Sequence, residues 1–122
     1  MAGRLKEIII VNGKNLFAGD VEDILNSVHG VKKGRVVAFG LDSDQTGSEE
    51  LIVIAEYDAH THVDQAVVRG DISRLVSETL LIKPRDVRVV EERWLVKSTS
   101  GKISRDENRH KYLETLRQAP RR

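Results

Sequence analysis

Cysteine is absent from the sequence, which excludes both a disulfide framework and a thiolate-bound metal ion. A chain without cysteine suits a reducing compartment, and we expect a cytoplasmic protein. Long apolar runs are absent as well, because the run EIIIV at 7–11 is far shorter than the ~20 residues that cross a bilayer. The first residues, MAGRLKE, become charged where a secretory signal peptide needs an apolar segment, so no signal peptide is expected.

Charge of one dominant sign is also missing. The 122 residues carry 20 Lys or Arg and 19 Asp or Glu, so no overall field would draw the protein onto nucleic acid or a membrane. Only the segment 102–122 is basic, with seven Lys or Arg against three Asp or Glu. A solvated surface and nucleic-acid binding both stay open for this segment. Aromatic residues, which would stack on bases, make up only 4% of the chain.

The apolar patterns predict an α+β fold in a single domain, with a small N-terminal β-ribbon followed by a three-stranded sheet packed with helices. Two predicted strands, 34–41 and 49–57, flank a polar loop and are expected to pair antiparallel. The other predicted elements are a ribbon over 6–17 that turns at Asn12-Gly13, a helix over 20–28 that ends at His29-Gly30, a helix from Thr61 to Lys83, a strand over 85–92 and a helix from Ser104 to about Leu116.

Local signals refine this prediction in three places. Thr61, with Asp64 three residues on, is expected to cap the second helix. Ser104 and Glu107 form a Ser-x-x-Glu capping box at the start of the last helix. Trp94, the single tryptophan, is expected to pack at the edge of the core. The buried stripe expected of the second helix comprises Val68, Ile72, Leu75, Val76 and Thr79.

The histidines do not suggest a metal site. His60 and His62 are two residues apart and would share one face of a strand, but no third or fourth ligand is spaced around them. Surface histidines are therefore favoured over metal ligands. His29 and His110 fit a helix end and an exposed helix face, and no spacing suggests a Ser-His-Asp arrangement. The sequence predicts no metal ion bound by this chain.

The stretch STSGK, Ser98 to Lys102, places small hydroxyl residues, a glycine and a lysine just before the helix capped by Ser104. Backbone N–H groups and a lysine in such a position can bind a phosphate. The stretch lacks the first glycine of a Walker loop, and Ile103 stands where Ser or Thr would hold magnesium. From spacing alone a polar surface loop is favoured, and a phosphate-binding loop stays open.

Two segments at opposite ends of the chain carry a more specific pattern. The first segment, residues 3–25, is GRLKEIIIVNGKNLFAGDVEDIL. It contains Gly-Arg, an acidic residue, an apolar strand, a glycine and Asp-Val-Glu, in that order. The second segment, residues 98–105, is STSGKISR and fits the pattern [ST]-x-[ST]-G-K-[ILV]-x-R. Both resemble motifs in the C-terminal domain of the adenylate-forming enzymes, which comprise acyl-CoA synthetases, fatty acyl-AMP ligases, peptide-synthetase adenylation domains and luciferases. The first segment is most similar to the form found in fatty acyl-AMP ligases.

The resemblance implies roles in adenylation for residues near both ends. Lys102, on a loop over 97–105, matches the catalytic lysine that bridges the acyl carboxylate and the α-phosphate and stabilises the developing charge. Gly101 beside it would let the backbone approach the acyl-adenylate closely. Arg4 matches an arginine that reaches the nucleotide.

The resemblance also implies a domain rotation between two half-reactions. Lys6, in a hinge over 3–7, matches the residue about which the domain turns. Gly13 and Asn15 match the face presented when a pantetheine thiol attacks the acyl-adenylate. The chain departs from many relatives at Ile10, where they have lysine, and at Ala18, where they have proline.

By resemblance, residues 1–122 form the C-terminal mobile lid domain of a longer enzyme. Its N-terminal adenylation domain would bind most of the ATP and Mg²⁺ and the fatty acid, so the isolated chain is expected to be inactive. The acceptor would be CoA or the phosphopantetheine of an acyl carrier protein. We expect a fatty acyl-AMP ligase; the alternatives are the lid of a long-chain acyl-CoA synthetase and a free-standing module that docks on a carrier protein. Neither nucleic acid nor a transmembrane segment is expected.

Overall fold

The computed structural model describes residues 8–11, 13–42, 49–97 and 103–118. It confirms the predicted α+β architecture, in which a two-stranded ribbon precedes a three-stranded sheet packed with helices. The helices lie on both faces of this sheet. The elements in chain order are β1 (Ile8–Val11), β2 (Lys14–Phe17), α1 (Ala18–Leu25), β3 (Val31–Asp42), β4 (Glu49–Tyr57), a 3₁₀ turn (Ala59–Thr61), α2 (Gln65–Leu80), β5 (Asp86–Val90) and α3 (Arg105–Gln118).

The three-stranded sheet has the order β3-β4-β5 and contains both strand directions. β3 and β4 pair antiparallel, as predicted, with Val37 opposite Ile54. β5 pairs with β4 in parallel, with Val87 opposite Val53. A parallel pair needs a long crossover, and α2 provides it by carrying the chain back before β5 begins.

β4 is buried on both faces, and its alternating side chains divide the core into two clusters. Leu51 and Val53 belong to the cluster that includes Ile72 of α2 and the buried side chains of α1 and the ribbon. Ile52 belongs to the cluster on the other face, which includes Tyr112 of α3. Helices therefore cover both faces of a small sheet.

The ribbon is fixed to the sheet through a close contact at Gly40. A Cβ added at Gly40 would lie 2.9 Å from Ile9 Cγ2, so the absence of a side chain lets β1 approach β3 this closely. The Ile10 N–H donates to Glu49 Oε1 at 2.8 Å, which ties β1 to the start of β4. These contacts set the position of the ribbon and of Gly13 at its tip.

α1 is shorter than predicted. It ends at Leu25 with Asn26 as its C-cap, so His29-Gly30 follow the helix rather than end it. The Asn26 side chain accepts a hydrogen bond from the Gly34 N–H at 3.0 Å, which holds the turn after the helix against β3. Val28 still packs partly against the core. The helical spacing of apolar residues in the sequence therefore extends beyond the end of the helix, which is why the predicted helix was too long.

The predicted start of the second helix at Thr61 is wrong, because α2 begins only after Asp64. Asp64 is the N-cap, and its carboxylate accepts from the Ala66 N–H at 3.0 Å. Thr61 belongs to the preceding 3₁₀ turn, where its hydroxyl donates to Asp58 O at 2.8 Å. His62, with φ of 59°, separates the turn from the helix.

The buried stripe predicted for α2 is confirmed over most of its length. Thr79 is exposed, contrary to the prediction. Leu81 reverses the chain with φ of 60°, and Ile82 beyond it fills the core at this end of the helix. The buried or partly buried residues of the stripe are Val68, Ile72, Leu75 and Val76.

The last part of the fold agrees with the prediction. Trp94 is partly buried at the edge of the cluster under α3, and the Lys111 ammonium lies 4.2 Å from its ring centroid. Ser104 Oγ accepts from the Glu107 N–H at 3.2 Å, as the capping box requires. Within the described ranges, no helix has the length and apolar character needed to cross a membrane.

Candidate functional site

Four of the predicted site residues, Arg4, Lys6, Gly101 and Lys102, lie outside the described residues, so their roles remain predictions. The same holds for the hinge over 3–7. Gly13 and Asn15 are described, as are both ends of the STSGK stretch. The structure therefore describes how the chain holds the ends of the predicted lysine loop.

The two ends of the STSGK stretch are paired with each other. Lys97 and Ile103 form an isolated antiparallel bridge. Next to it, the Ser104 N–H donates to Val96 O at 3.1 Å. The positions on either side of residues 98–102 are therefore paired with each other, and these contacts help to offset the entropy cost of bringing the two positions together.

Asn108 of α3 holds both strands of this loop base through its side chain. It is fully buried. Its Oδ1 accepts from the Val96 N–H at 2.8 Å, and its Nδ2 donates to Val96 O at 3.0 Å and to Ser104 O at 2.7 Å. One side-chain amide thus uses its acceptor and both donors on the two ends of the loop.

A buried carboxylate of β4 holds the chain one residue earlier. Glu56 is 1% exposed, and its Oε2 accepts from the Leu95 N–H at 3.0 Å. Arg35 Nη1 lies 3.9 Å from the same oxygen and balances part of its charge. Glu56 Oε1 is buried without a hydrogen-bond partner among the described residues. The segment that leads into the loop is therefore anchored in the sheet.

Arg105, the last residue of STSGKISR, forms a two-pronged ion pair with Glu22 of the amino-terminal motif. Its Nε donates to Glu22 Oε2 at 2.9 Å and its Nη2 to Glu22 Oε1 at 2.8 Å. Glu22 Oε2 also accepts from the Ala38 N–H of β3 at 2.9 Å. Bidentate arginine–carboxylate pairs are geometrically specific, so this one fixes the start of α3 against α1 and β3.

Sequence reasoning placed Glu22 and Arg105 in the two motifs but gave neither a role. A signal for the pair was present, because an acidic residue in one motif and an arginine in the other are candidates for an ion pair. Asn108 and Glu56 were not singled out. Each looks like an ordinary polar residue of a helix or a strand end, and only the packing of α3 and the 95–97 segment buries them.

The ribbon presents Asn15 beside exposed apolar side chains. Gly13 at its tip has φ of 81°, a left-handed conformation that favours glycine. Asn15 is exposed and pairs opposite Ile10, which is 46% exposed. Ile8 and Phe17, the next cross-strand pair on this face, are 45% and 39% exposed. The face that contains Asn15 can therefore contact an apolar partner surface.

Three basic side chains of α3 have partners within the chain. Arg105 binds Glu22, as described above, and Arg109 Nη2 donates to Asp106 Oδ1 at 2.7 Å. The Lys111 ammonium donates to the Trp94 carbonyl. These contacts occupy charged groups that would have to be free to bind the phosphates of a nucleic acid.

Tyr112 is the group with a large pKa shift in this region. Burial raises the pKa of Tyr112 to about 12, and the hydrogen bond from its hydroxyl to Asp86 Oδ2 at 2.8 Å adds to the rise. The same phenol meets the ring of Phe39 edge-on, with centroids 5.8 Å apart. Tyr112 is thus a neutral core residue that connects α3 to β5.

Candidate metal ligands are not gathered in the part of the chain that the structure describes. No group of three or more His, Asp or Glu side chains there is arranged to hold a metal ion. His60 Nδ1 lies 3.3 Å from Asp58 Oδ1, and the His60 side chain is 92% exposed. This pair sits on the 3₁₀ turn.

Comparison with known proteins places these features in a family. No family model matches the chain. The chain is 29% identical over 119 residues to the 4-hydroxyphenylalkanoate adenylyltransferase of Mycobacterium tuberculosis, covering 93% of this chain and 18% of the relative. It is 26% identical over 134 residues to a long-chain-fatty-acid–AMP ligase of Mycobacterium marinum, covering 93% of this chain and 21% of the relative.

A solved structure agrees with these relatives. The McyG A-PCP structure complexed with phenylalanyl-adenylate matches with a TM-score of 0.82 and 25% identity, covering 96% of this chain and 21% of that one. Over nearly its whole length the chain is similar to a C-terminal domain of the adenylate-forming enzymes. It spans about a fifth of the length of the relatives it matches. The Glu22–Arg105 pair therefore joins the two motifs through which the chain resembles these enzymes.

Proposed function

We propose that the chain is the mobile C-terminal lid of an ATP-dependent fatty acyl-AMP ligase, with a hinge over 3–7 and a catalytic-lysine loop over 97–105. The whole ligase activates a fatty acid as acyl-adenylate and supports its transfer to a pantetheine thiol. ATP, Mg²⁺ and the fatty acid bind mainly to the N-terminal adenylation domain of the same polypeptide. The enzyme works in the cytoplasm.

The closed base of the 98–102 loop is the observation that supports this proposal most. Asn108 binds both ends of the loop, and Arg105, three residues after the loop, is bound to Glu22. A lysine that must meet two anionic groups in one geometry needs a base that does not move relative to its domain. These contacts hold the two ends of the loop at fixed positions in the domain, and this supports the proposal.

The chemistry expected of Lys102 follows from charge. An acyl carboxylate and an α-phosphate repel each other, and attack of the first on the second concentrates further charge on the phosphoryl oxygens. An ammonium between the two groups positions the nucleophile and stabilises that charge. Arg4 and Gly101 would approach the nucleotide from the same domain.

The second half-reaction would use the ribbon. Gly13 and Asn15 lie on an element distinct from the loop base, so one rotation about Lys6 can exchange the surface presented to the N-terminal domain. The exposed apolar side chains of this face suit contact with another domain during thiol transfer.

The acceptor distinguishes the fatty acyl-AMP ligase from its alternatives. The full-length enzyme is assayed with fatty acid, ATP and Mg²⁺, and then with CoA or with a phosphopantetheinylated carrier protein. The proposal expects release of pyrophosphate without an acceptor and transfer to the carrier protein in preference to CoA. Efficient transfer to CoA would instead identify a long-chain acyl-CoA synthetase.

A ribbon variant separates the two half-reactions. Asn15→Ala in the full-length enzyme is expected to slow transfer from preformed acyl-AMP while adenylation is retained. Glu78→Ala, an exposed change in α2, is the matched control and is expected to change neither rate. The isolated chain is expected to catalyse neither step, and binding of a carrier protein by the isolated chain would favour a free-standing docking module.

A further inference from the structure

The outer edge of β5 lies open beside α2. β5 pairs with β4 on one side, and no strand within the described ranges pairs with its other side. Because the Arg85 N–H donates to Leu51 O at 2.8 Å, alternation along the strand directs the backbone groups of Asp86, Arg88 and Val90 away from β4. The edge thus presents backbone donors and acceptors to an added strand.

A groove runs between this edge and α2. It consists of two hollows of about 520 and 340 Å³ that share residues on both sides, so together they follow the strand along its length. A groove between a sheet edge and a helix is the form in which extended peptides bind by strand addition. Residues 86–90 line the strand side, and the helix side is lined by Gln65, Ala66, Arg69, Gly70 and Ser73.

Gly70 keeps the groove open although the helix does not benefit from it. Glycine within a helix is unfavourable relative to alanine. Packing inside the chain does not require it, since a Cβ added at Gly70 would meet nothing within 4 Å and its φ is not positive. Because Gly70 lines the groove, its missing side chain leaves room for an occupant.

The charges along the groove favour an acidic occupant. Three arginines and one aspartate line the two hollows. Arg85 is held by Glu50 at 2.6 Å and Arg88 by Asp86 at 3.0 Å, whereas no ion pair inside the described part of the chain engages Arg69. Arg69 is exposed and belongs to both hollows, so its guanidinium can meet a carboxylate along most of the groove.

A second copy of the chain fits this edge poorly. A symmetric antiparallel pairing of two β5 strands about their centre would place Arg88 opposite the same residue of the other copy. Like charges directly opposite each other on neighbouring strands are destabilising. The charge pattern therefore favours a partner strand that carries glutamate or aspartate.

We infer that the groove between β5 and α2 is a docking site for an extended acidic peptide segment of a partner protein, which adds to the sheet as a fourth strand. Backbone hydrogen bonds to the β5 edge provide the affinity, and Arg69 selects for acidic side chains. The site lies on elements other than the ribbon and the lysine loop, so it does not depend on the proposed ligase function.

The test uses the 122-residue chain and a fluorescent decapeptide of alternating glutamate and valine. Fluorescence anisotropy is expected to show binding at least ten times tighter than that of a lysine–valine decapeptide. Amide NMR signals of residues 86–90 and of α2 are expected to shift. N-methylation of alternate peptide bonds is expected to abolish binding, because it removes the donors that pair with β5.

Variants of α2 make the test specific. Arg69→Gln is expected to weaken binding roughly tenfold, as loss of a charge-assisted hydrogen bond does, whereas the matched Arg74→Gln outside the groove leaves it unchanged. Gly70→Gln is expected to block binding while raising the melting temperature. The inference would be overturned if the acidic peptide did not bind at millimolar concentration or if both peptides bound equally. NMR signal changes at residues away from β5, or dimerisation of the chain through this edge, would also overturn it.

Discussion

Asn108 provides the most detailed prediction, because one buried amide holds both ends of the predicted lysine loop. Asn108→Ala removes three hydrogen bonds at once. Two of the groups that lose a bond keep another partner: Val96 O still accepts from the Ser104 N–H, and Ser104 O still accepts from the backbone N–H at position 108. The Val96 N–H loses the side-chain acceptor that it has in the structure.

The magnitude follows from this difference. A buried donor left without an acceptor costs about 1–3 kcal/mol, and each of the two bonds whose acceptors keep another partner contributes about 0.5–1.5 kcal/mol. Because these contributions overlap within one site, we expect a loss of about 2–4 kcal/mol in the free energy of unfolding. Asn108→Asp tests the geometry further. Its carboxylate can still accept from the Val96 N–H, but its second oxygen takes the place of the Nδ2 donor and faces the Ser104 carbonyl oxygen, which is also an acceptor.

Urea denaturation followed by circular dichroism measures both variants. Asn108→Asp is expected to lose at least as much stability as the alanine variant at neutral pH and to recover part of it at acidic pH, where a protonated carboxyl can donate. Asn15→Ala, an exposed asparagine, is the control and is expected to change stability by less than about 0.5 kcal/mol. A loss below about 1 kcal/mol for Asn108→Ala would refute the reasoning.

Three further predictions concern the fold around the site. Gly40→Ala is expected to cost about 1–3 kcal/mol in urea denaturation, because its Cβ would displace Ile9; an unchanged midpoint would contradict the close contact. Asp64→Ala is expected to cost about 0.5–2 kcal/mol by removing the cap of α2, and an equal loss for Thr61→Ala would argue against this helix start. Because the folded chain keeps the Tyr112 proton up to about pH 12 while the unfolded chain loses it near 10.0, stability should fall as pH rises through this range. Tyr112→Phe should show a smaller alkaline loss, and identical slopes would refute the assigned pKa.

The order of the elements could be predicted because apolar patterns marked most of the strands and the first two helices, while the Asn-Gly turn marked the ribbon and the capping box at Ser104 marked the last helix. The position of β4 in the sequence could be predicted, but its burial on both faces could not, because a continuous apolar run does not reveal which elements cover each face of the strand. The start of α2 was misplaced because Asp58 and Thr61 build a separate turn with the same residue types that cap helices. Thr79 was wrongly assigned to the buried stripe of α2. The helical spacing of apolar residues shows which face of the helix is buried but not where the sheet that covers this face ends.

The candidate site could be predicted only as far as its motifs reach. The Lys102 loop was found through its resemblance to a family, while its spacing alone favoured a polar surface loop. The contacts that hold the loop base depend on side chains distant in sequence, such as Glu22 and Arg105 at a separation of 83 residues. Asn108 gave no local signal, because asparagine in a polar helix is normally exposed and only tertiary contacts show its use.

The most direct test of the central claim is the effect of Lys102→Ala on the two half-reactions of the proposed full-length ligase. ATP-dependent adenylation, measured as pyrophosphate release, is expected to fall by roughly 10²–10³, as loss of one charge-stabilising group does. Transfer from preformed acyl-AMP to the thiol acceptor is expected to stay within a few-fold of the unaltered enzyme, and Lys33→Ala, a change at an exposed lysine of β3, serves as the matched control. Equal loss, or equal retention, of both half-reactions in Lys102→Ala would contradict the account.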